Sequence, residues 1–472
     1  MSIKRYVSSA DSTITNAFRS NLRTRGTGSN MGGSDILEIF SIYGQASSSS
    51  LEASRTLFQF PIDQVITDRT AGNLPASGSV NFVLKLFNAV HGETLPKQFT
   101  LVASPVSSSW EEGYGLDMEE YKDVTRGGEG VNWINSRSGS TWTTQGGDYL
   151  SSPIMSQSFS TGLEDLEIDV TALVELWVSN SIPNYGIGLS LTSSQETQNR
   201  SYYTKRFFAR TSEFFFKRPI LEARWNSSTL DDRQRFFVTS SLLSQADNTH
   251  TIYLYNYVAG QLKNIPSVST GSIFVNIYTS ASYGSLIVTT PTPVTGGYVS
   301  TGIYSASFSM DTTASIVYDR WFSGSLAYHT GTIRPQTFSA LEGRIASKKY
   351  ITSISNLKPS YSPSEKSRFR LFIREKNSSP NIYTTASDTT ENTIIDSAFY
   401  KLLRISDNTT IVDYGTGSTN HTKLSYDGNG NFFDFDMTML ESGHTYAFKF
   451  IFMLDGKYEE QPDINKFKVQ DI

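Results

Sequence analysis

Short runs in which apolar and polar positions alternate recur along the chain and predict β-strands. In residues 80–86 (VNFVLKL) every second position is apolar, while Asn81 and Lys85 fall on the opposite face. Residues 273–278 (IFVNIY) and 369–373 (FRLFI) have a similar period, with polar turn residues on both sides. A period of two is typical of strands with one buried face. The dominant pattern therefore indicates an all-β protein.

One segment has the period of a helix instead. Residues 169–179 (DVTALVELWVS) place apolar side chains three and four positions apart, and Asp169 or Thr171 can cap the first turn. Asn180 and Pro183 are expected to end this helix. An α/β fold would need a helix between most successive strands. A single short helix therefore favours a β-sandwich that carries it as a decoration.

Two polar stretches suggest domain boundaries, at residues 226–235 (NSSTLDDRQR) and at residues 342–349. The first domain is expected to be a jelly-roll-like sandwich that carries the helix. The last two domains have the size of immunoglobulin-like sandwiches, which contain roughly 100 residues. The three expected domains are 1–228, 229–345 and 346–472.

The composition excludes several classes of function. The chain has 472 residues and no cysteine, which excludes disulfides, thiolate catalysis and cysteine-bound zinc. Its net charge of −5 argues against nucleic acid as a partner. No run approaches the roughly 18 apolar residues of a membrane span, so membrane insertion is not expected. With 29 Phe and 25 Tyr, aromatic packing is expected to stabilise the sheets.

An acidic run that includes Glu112 and Asp117 follows Trp110. A glycosidase needs two carboxylates around a sugar, whereas the neighbouring glycines favour an exposed loop that ends near residue 121. Trp110 and Glu112 are therefore candidate ligand contacts, and Trp133 and Trp142 are further candidates for stacking on a sugar. The alternative for all three tryptophans is packing in the core.

No motif for a metal or a cofactor is present in the sequence. The five histidines are far apart, and none has the H-x-x-x-H or H-E-x-x-H spacing of a metal site. The glycine-rich residues 26–33 lack the spacing and the lysine of a phosphate-binding loop. Residues 427–431 (DGNGN) begin like a calcium loop, but Phe432 stands where that loop needs glycine. A β-hairpin turn is the stronger interpretation of these residues, and no cofactor is expected.

A predicted strand carries three candidate basic contacts, Arg368, Arg370 and Arg374, on one face. Such charges can protect the edge of a sheet from pairing with another sheet. They can also form a positive patch that docks an acidic neighbour. Both interpretations remain open at this point.

Rings and cations are interleaved in residues 202–218, which include the candidate contacts Phe207 and Phe215. Interleaved rings and cations can bind single-stranded nucleic acid, but the acidic total disfavours that function. We expect residues 207–216 to form a buried or interfacial strand. The partner of an interfacial strand would be another protein.

The order of motifs in the first half of the chain resembles a known family. The strand RTLFQF at residues 55–60 is followed by WEEG at residues 110–113 and by IDVTALVELW at residues 168–177. This order is similar to the DNRLRE type of β-sandwich, a disaggregatase-related domain that resembles carbohydrate-binding modules. The resemblance covers less than half of the chain and implies a jelly-roll-like first domain.

The chain as a whole resembles virion structural proteins of marine tailed phages, on the segments MSIKRY, TRGTGSNMG and EIFSIYGQ within residues 1–45. This resemblance implies a non-enzymatic accessory or decoration protein on the capsid, neck or tail. Its expected location is the virion, and its expected partners are other virion proteins or further copies of itself, with residues 8–34 as an assembly arm. The alternative is a carbohydrate-binding, adhesin-like module that recognises host surface glycans.

Overall fold

A computed structural model describes residues 2–92, 95–119, 129–337, 349–376 and 392–471. The chain forms two compact units. The first unit comprises Ser2–Asn226 with Gly417–His421, and the second comprises Ser227–Thr416 with Thr422–Ile472. The predicted boundary after residue 228 is close to this division. The predicted boundary after residue 345 lies outside the described residues.

The described part of the first unit is built from antiparallel strands. One sheet has the order β1-β13-β5-β10, and a larger sheet has the order β12-β3-β4-β11-β6-β9 with β2 beside β4. Both sheets contribute buried apolar side chains to one core, so the unit is a β-sandwich. The strands are Ile3–Val7 (β1), Ala10–Thr15 (β2), Ile36–Tyr43 (β3), Leu51–Gln59 (β4), Asn81–Leu86 (β5), Phe99–Pro105 (β6), Asn135–Arg137 (β7), Ser140–Thr141 (β8), Met155–Phe159 (β9), Leu166–Asp169 (β10), Ile187–Leu191 (β11), Tyr202–Phe208 (β12) and Ile220–Arg224 (β13).

A second, smaller hydrophobic cluster covers the outer face of the larger sheet. Ala53 and Leu57 of β4 belong to this cluster, whereas Phe58 belongs to the main core. Successive side chains of a strand point to opposite faces, so the two clusters lie on opposite sides of the sheet. We name the loop part of the small cluster the tryptophan lid. Its buried members are Val106, Trp110, Val131, Trp133 and Trp142.

The predicted helix is confirmed as Thr171–Val178 (α2). Asp169 accepts a hydrogen bond from the backbone N–H of Thr171 (2.8 Å), and so satisfies one donor of the first turn. The prediction of a single helix missed Ile62–Thr70 (α1) and Ser193–Thr197 (α3). α1 buries only Ile62 and Val65, and α3 has only five residues, so neither shows a long run of apolar side chains at helical spacing. None of the helices in the described residues is long and apolar enough to cross a membrane.

The second unit contains two further groups of strands. One sheet has the order β14-β20-β19-β17-β21-β22 with β18 beside β20, and β15 and β16 form a short ribbon. The later strands form two sheets, β23-β25-β29-β28 and β24-β32-β30-β26-β27 with β31 beside β30. The strands are His250–Tyr255 (β14), Tyr257–Val258 (β15), Gln261–Leu262 (β16), Ile273–Tyr278 (β17), Thr289–Thr290 (β18), Val294–Ser300 (β19), Ile303–Met310 (β20), Val317–Ser323 (β21), Leu326–Ile333 (β22), Tyr350–Ile354 (β23), Ser360–Tyr361 (β24), Lys366–Glu375 (β25), Ala398–Arg404 (β26), Thr410–Val412 (β27), Ser425–Asp427 (β28), Gly430–Asp436 (β29), Thr445–Leu454 (β30), Lys457–Glu460 (β31) and Asn465–Val469 (β32).

Aromatic rings fill the core of the last sandwich, as the composition predicts. The ring of Phe433 lies 4.6 Å from that of Tyr400, 5.2 Å from that of Phe369 and 5.0 Å from that of Phe448, between centroids. Phe448 in turn stacks on Phe467 at 5.1 Å. Aromatic pairs at this spacing contribute about 0.5–1.5 kcal/mol each beyond the burial of their area. The all-β class, built from β-sandwich sheets, is confirmed for the described residues.

The hairpin interpretation of residues 427–431 is also confirmed. Asp427 pairs with Gly430 across the turn between β28 and β29. Gly430 has φ +113°, and a Cβ atom there would lie 2.0 Å from the side chain of Asn392, so the turn requires glycine. Asp427 accepts a hydrogen bond from the N–H of Asn429 (2.8 Å) and is committed to the turn.

Candidate protein-interaction surface

The three candidate tryptophans lie inside the tryptophan lid. Trp110, Trp133 and Trp142 are 8%, 6% and 5% exposed. The indole N–H of Trp110 donates to the carbonyl of Tyr185 (2.8 Å), and that of Trp142 donates to the carbonyl of Asn132 (2.9 Å). Rings that are buried on both faces cannot stack on a sugar. The candidate role of these three residues in glycan binding is therefore corrected to packing.

Arg55 and Tyr149 belong to the same layer, although the sequence did not single them out. The guanidinium of Arg55 donates to both carboxylate oxygens of Glu196 (3.0 and 2.6 Å) and lies 5.3 Å from the centre of the Trp133 ring. The Tyr149 hydroxyl donates to the carbonyl of Gly146 (2.9 Å), and burial raises the pKa of Tyr149 to about 12. An alternation of apolar and polar positions cannot reveal these contacts, because the partners lie far apart in the sequence.

Glu112 is committed to an ion pair within the first unit. Its carboxylate accepts two hydrogen bonds from the guanidinium of Arg210 (3.1 and 2.6 Å) and one from the N–H of Asp11 (2.8 Å). Burial raises the pKa of the neighbouring Asp11 to about 7, although the interactions with Arg210 oppose this shift. The structure therefore gives Glu112 a positioning role in the loop rather than a place in an open catalytic cleft. The expected exposed loop is present at Tyr114 and Leu116, which are about half exposed, and it ends outside the described residues.

The predicted basic face of β25 is largely neutralised by its neighbours. Arg368 donates to both oxygens of Asp434 (2.7 and 3.0 Å), and Arg370 donates to both oxygens of Asp427 (3.0 and 2.9 Å). Both guanidinium groups also lie over the ring of Phe432, at 4.4 and 5.3 Å. The two arginines therefore stabilise the sheet instead of forming a free positive patch.

Arg374 differs from the other two arginines of this strand because its side chain is exposed. It lies opposite Ile351 in the pairing of β25 with β23. Lys376, two residues further on, is exposed as well, and exposed charges at these positions fit the protection of a sheet surface.

Phe207 is fully buried in β12, beside the buried ammonium group of Lys205. Lys205 donates to Asn88 Oδ1 (2.6 Å) and to the carbonyls of Gly162 (3.0 Å) and Glu164 (2.8 Å). The Lys205 nitrogen also lies 4.9 Å from the centre of the Phe207 ring. The Phe207 side chain therefore lies in the core. A buried position was one of the two alternatives, buried or interfacial, that the sequence left open.

The outer side of the same segment carries a cluster of phenylalanines that the main core does not cover. The Phe214 ring is 50% exposed and contacts the Phe208 ring at 5.4 Å between centroids. Phe215 and Phe216 are half-buried and contact each other edge to face at 5.1 Å. The half-buried Phe87 is adjacent to this segment through its backbone, since its carbonyl accepts the N–H of Phe208 (3.1 Å). We name this cluster the phenylalanine patch: Phe87, Phe208, Phe214, Phe215 and Phe216.

Two cations border the phenylalanine patch. The Lys217 nitrogen lies 5.1 Å from the centre of the Phe87 ring, and the Arg218 guanidinium lies 5.8 Å from that of Phe215. A short 3-10 turn, Phe215–Lys217, sets these positions, and its end is fixed by a hydrogen bond from Arg218 Nε to the carbonyl of Ser212 (2.9 Å). The outer faces of antiparallel sheets are ordinarily polar, so one exposed ring among four half-buried rings, with two cations beside them, is a candidate interaction surface.

A metal centre has no counterpart in the described part of the chain, where no group of three or more His, Cys, Asp or Glu side chains could hold an ion.

Comparisons with protein-family models and with curated proteins find no match. Among solved structures, the chain is similar to the N-terminal Ig1-2 module of the Drosophila receptor protein tyrosine phosphatase DLAR, with 8% identity, 47% of this chain and 91% of that chain covered, and a TM-score of 0.16. It is also similar to the Yersinia pseudotuberculosis adhesin InvE, with 11% identity, 46% and 54% covered, and a TM-score of 0.15. Trypsin-activated alpha-2-macroglobulin from Escherichia coli has 10% identity, 79% and 22% covered, and a TM-score of 0.17. The chain spans about half the length of InvE, and likeness at this level carries no conclusion about function.

Proposed function

We propose that the protein is a non-enzymatic structural component of a tailed-phage virion, which attaches to the capsid, neck or tail through protein–protein contacts. The observation that carries the proposal is the phenylalanine patch. Apolar area in contact with water costs about 25 cal/mol per Å² relative to its burial. A partner that covers these rings therefore gains binding free energy that the isolated chain cannot gain.

The chemistry of the patch specifies the partner's surface. Phe208 and Phe214 supply rings at the centre, while Lys217 and Arg218 supply positive charge at the border. A complementary surface has apolar side chains at its centre and carboxylates around them. Such a border guides association and selects among partners more than it adds affinity. We propose a neighbouring virion subunit with this arrangement.

A passive mechanism, without a catalytic step, fits the ion pairs that charged residues form within the described part of the chain. Glu112, Arg368 and Arg370 form ion pairs within the chain. Their function in the proposal is to make the sandwiches rigid, so that each sandwich presents a fixed surface to its neighbours. Interfaces are stabilised chiefly by a few buried aromatic and arginine anchors; the patch supplies the rings, and Arg218 at its border supplies an arginine.

Incorporation into particles tests this proposal. The tagged chain is supplied during infection, and its amount in purified particles is measured by quantitative immunoblotting. The double variant Phe208→Ser/Phe214→Ser is expected to reduce incorporation by about tenfold or more, because each anchor of this kind contributes about 2 kcal/mol or more. The matched control is Tyr257→Ser, since Tyr257 is 53% exposed and lies in the second unit.

Circular dichroism in the near ultraviolet establishes that the double variant is folded. If the folded double variant enters particles at the level of the wild type, the patch is not the assembly contact. Equal losses for the double variant and for Tyr257→Ser would also contradict the proposal, because the effect would not be specific to the patch.

A further inference from the structure

The side chains of Lys205 and Asn88 meet inside the first unit. Lys205 Nζ lies 2.6 Å from Asn88 Oδ1, and the lysine is 1% exposed. The rings of Phe159 and Phe207 flank the nitrogen, with their centres 5.1 and 4.9 Å away. An amine at this distance from an amide oxygen is also close to the electrophilic carbon of the same carbonyl group. The pair therefore places a nucleophile beside an electrophile, at a position that little water reaches.

The backbone holds this pair in position. Asn88 follows β5 of the smaller sheet and lies beside β12, the end strand of the larger sheet. On one side of it, the carbonyl of Phe87 accepts the N–H of Phe208 (3.1 Å). On the other side, the carbonyl of Arg206 accepts the N–H of Ala89 (3.1 Å). Fixing two reacting groups in this way lowers the entropic cost of bringing them together.

Of the three acceptors that surround the lysine nitrogen, the amide of Asn88 can lose its own nitrogen without a break in the chain. The other two acceptors are the backbone carbonyls of Gly162 (3.0 Å) and Glu164 (2.8 Å). Attack at either carbonyl would cleave a peptide bond. The asparagine side chain instead ends in an NH2 group, and no described residue accepts a hydrogen bond from that group. This nitrogen is therefore free to leave.

A nucleophilic attack also requires a neutral amine and a carrier for the proton. Burial lowers the pKa of Lys205 to about 8, although the nearby carboxylates of Asp165 and Glu164 oppose the shift. A buried lysine with a lowered pKa is an activated nucleophile. Glu164 Oε1 accepts the N–H of Thr161 (2.7 Å) and belongs to a turn. Asp165 is exposed and its Oδ1 accepts the N–H of Asn88 (2.7 Å), so this carboxylate lies beside the reacting pair.

We propose that Lys205 and Asn88 become joined by an intramolecular amide bond. The lysine nitrogen forms a bond to Cγ of Asn88, and the bond between Cγ and Nδ2 breaks. One proton of the amine passes to Nδ2 by way of the Asp165 carboxylate, and Nδ2 leaves as ammonia. An amine and a primary amide thus give a secondary amide and ammonia. The exchange consumes no oxidant, reductant or cofactor.

The bond supplies a covalent link in a chain that has no cysteine. It connects the two sheets of the first unit and joins residues that are 117 positions apart. A cross-link that closes a long loop restricts the unfolded chain strongly. An unactivated amide reacts slowly, so the freshly made chain is unlinked and retains the titratable amine, which the linked chain lacks. This inference does not depend on the phenylalanine patch.

Peptide mapping of the full chain by mass spectrometry tests the inference. The folded protein is incubated at about pH 6 and at about pH 9, below and above the lowered pKa of Lys205, and is then digested with trypsin. At the higher pH we expect a branched peptide that joins the segments containing Asn88 and Lys205, lighter than their sum by one ammonia. At the lower pH it is expected to form about tenfold more slowly or less, because little of the amine is neutral. The branched peptide decides the matter, since a succinimide at an asparagine also loses ammonia.

Three variants locate the reaction. Lys205→Met is expected to abolish the branched peptide, whereas Lys468→Met, at an exposed lysine of β32, is expected to leave it unchanged. Asp165→Asn is expected to slow its formation by about tenfold or more, because a positioned proton carrier contributes at least that much. Loss of this negative charge alone favours the neutral amine and would speed the reaction. A slower reaction therefore identifies proton transfer, and circular dichroism in the near ultraviolet establishes that the variants are folded.

Two results with the wild type would overturn the inference. The first is no branched peptide after prolonged incubation of the folded chain at the higher pH. The second is the same branched peptide, formed at the same rate, in a chain unfolded by urea, because the fold would then not direct the reaction. A rate for folded Asp165→Asn that equals or exceeds that of the wild type would contradict the part of Asp165 in the proton transfer.

Discussion

At the scale of single residues, the ammonium group of Lys205 is a buried amine surrounded by hydrogen-bond acceptors. Its side chain is 1% exposed, and three oxygen acceptors and two phenyl rings surround the nitrogen. Burial lowers the pKa of Lys205 to about 8, although Asp165 and Glu164 oppose the shift. The acceptors belong to the loop after β9 and to Asn88, so the lysine ties these segments to β12.

This environment predicts an unusual dependence of stability on pH. Below pH 8 the folded chain must bury the charged form of Lys205, whereas between pH 8 and pH 10 the folded state loses this proton and the unfolded state retains it. The unfolded state then binds more protons, so stability rises with pH through this window. We expect the wild type to gain about 2 kcal/mol relative to Lys205→Met between pH 8 and pH 10. Urea unfolding of both proteins at these two pH values measures the gain.

The comparison with Lys205→Met cancels the titration of the other groups. A difference between the two proteins that stays constant from pH 8 to pH 10 would contradict the lowered pKa. A difference that falls with pH would indicate that the lysine is charged and stabilised by its acceptors throughout this range.

At the scale of elements, the tryptophan lid depends on the close approach of a strand to a ring. Gly188 of β11 faces Tyr149, and a Cβ atom at Gly188 would lie 2.1 Å from Tyr149 Cε1. An alanine there must displace the ring that fills the space beside Trp133 and Arg55. β11 is paired on both sides, with β4 and with β6, so its backbone cannot move away easily.

Gly188→Ala is therefore expected to destabilise the first unit by about 1–3 kcal/mol, the usual cost of overpacking a filled site. Gly297→Ala is the matched control, because Gly297 also lies in a strand but has open space around its Cβ position. Thermal unfolding monitored by tryptophan fluorescence measures both changes. An unchanged midpoint for Gly188→Ala would contradict the tight packing of the lid on the sheet.

Elements with a strong period could be predicted from the sequence, and their partners could not. The alternation in residues 80–86 and 273–278 and the helical period before Trp177 correspond to β5, β17 and α2. The tryptophan lid could not be predicted, because its members lie in loops, where apolar positions do not recur at a regular spacing. The partners of Arg368 and Arg370 lie about 60 residues later in the chain, so the basic period alone could not decide between edge protection and a positive docking patch.

At the candidate site, the sequence of residues 202–218 likewise does not show which rings are exposed. The expected strand over residues 207–216 is wrong beyond Phe208, because β12 ends there and a turn and the 3-10 turn Phe215–Lys217 follow. Phe207 faces inward and Phe214 faces outward, and this distinction depends on the register of β12 against β3 and on the turn after Ala209.

At the scale of the whole molecule, the segment around Asp232 contacts both sandwiches of the second unit. The carboxylate of Asp232 accepts a hydrogen bond from the Tyr426 hydroxyl (2.7 Å) and another from the N–H of Thr251 (2.8 Å), so it bonds to both sandwiches. The adjacent Arg233 forms a two-point ion pair with the buried Asp319 (2.6 and 2.9 Å). A unit joined in this way can present its surfaces in a fixed relation, as the proposed assembly role requires.

Quantitative mass spectrometry of purified phage particles tests the central proposal most directly. The account predicts that the chain is present at a fixed copy number relative to the major capsid protein, and that an antibody against it labels one part of the particle. A constant ratio across independent preparations and after washing in high salt would agree with a structural component. Absence of the chain from intact particles, in cells that produce it, would contradict the virion assignment.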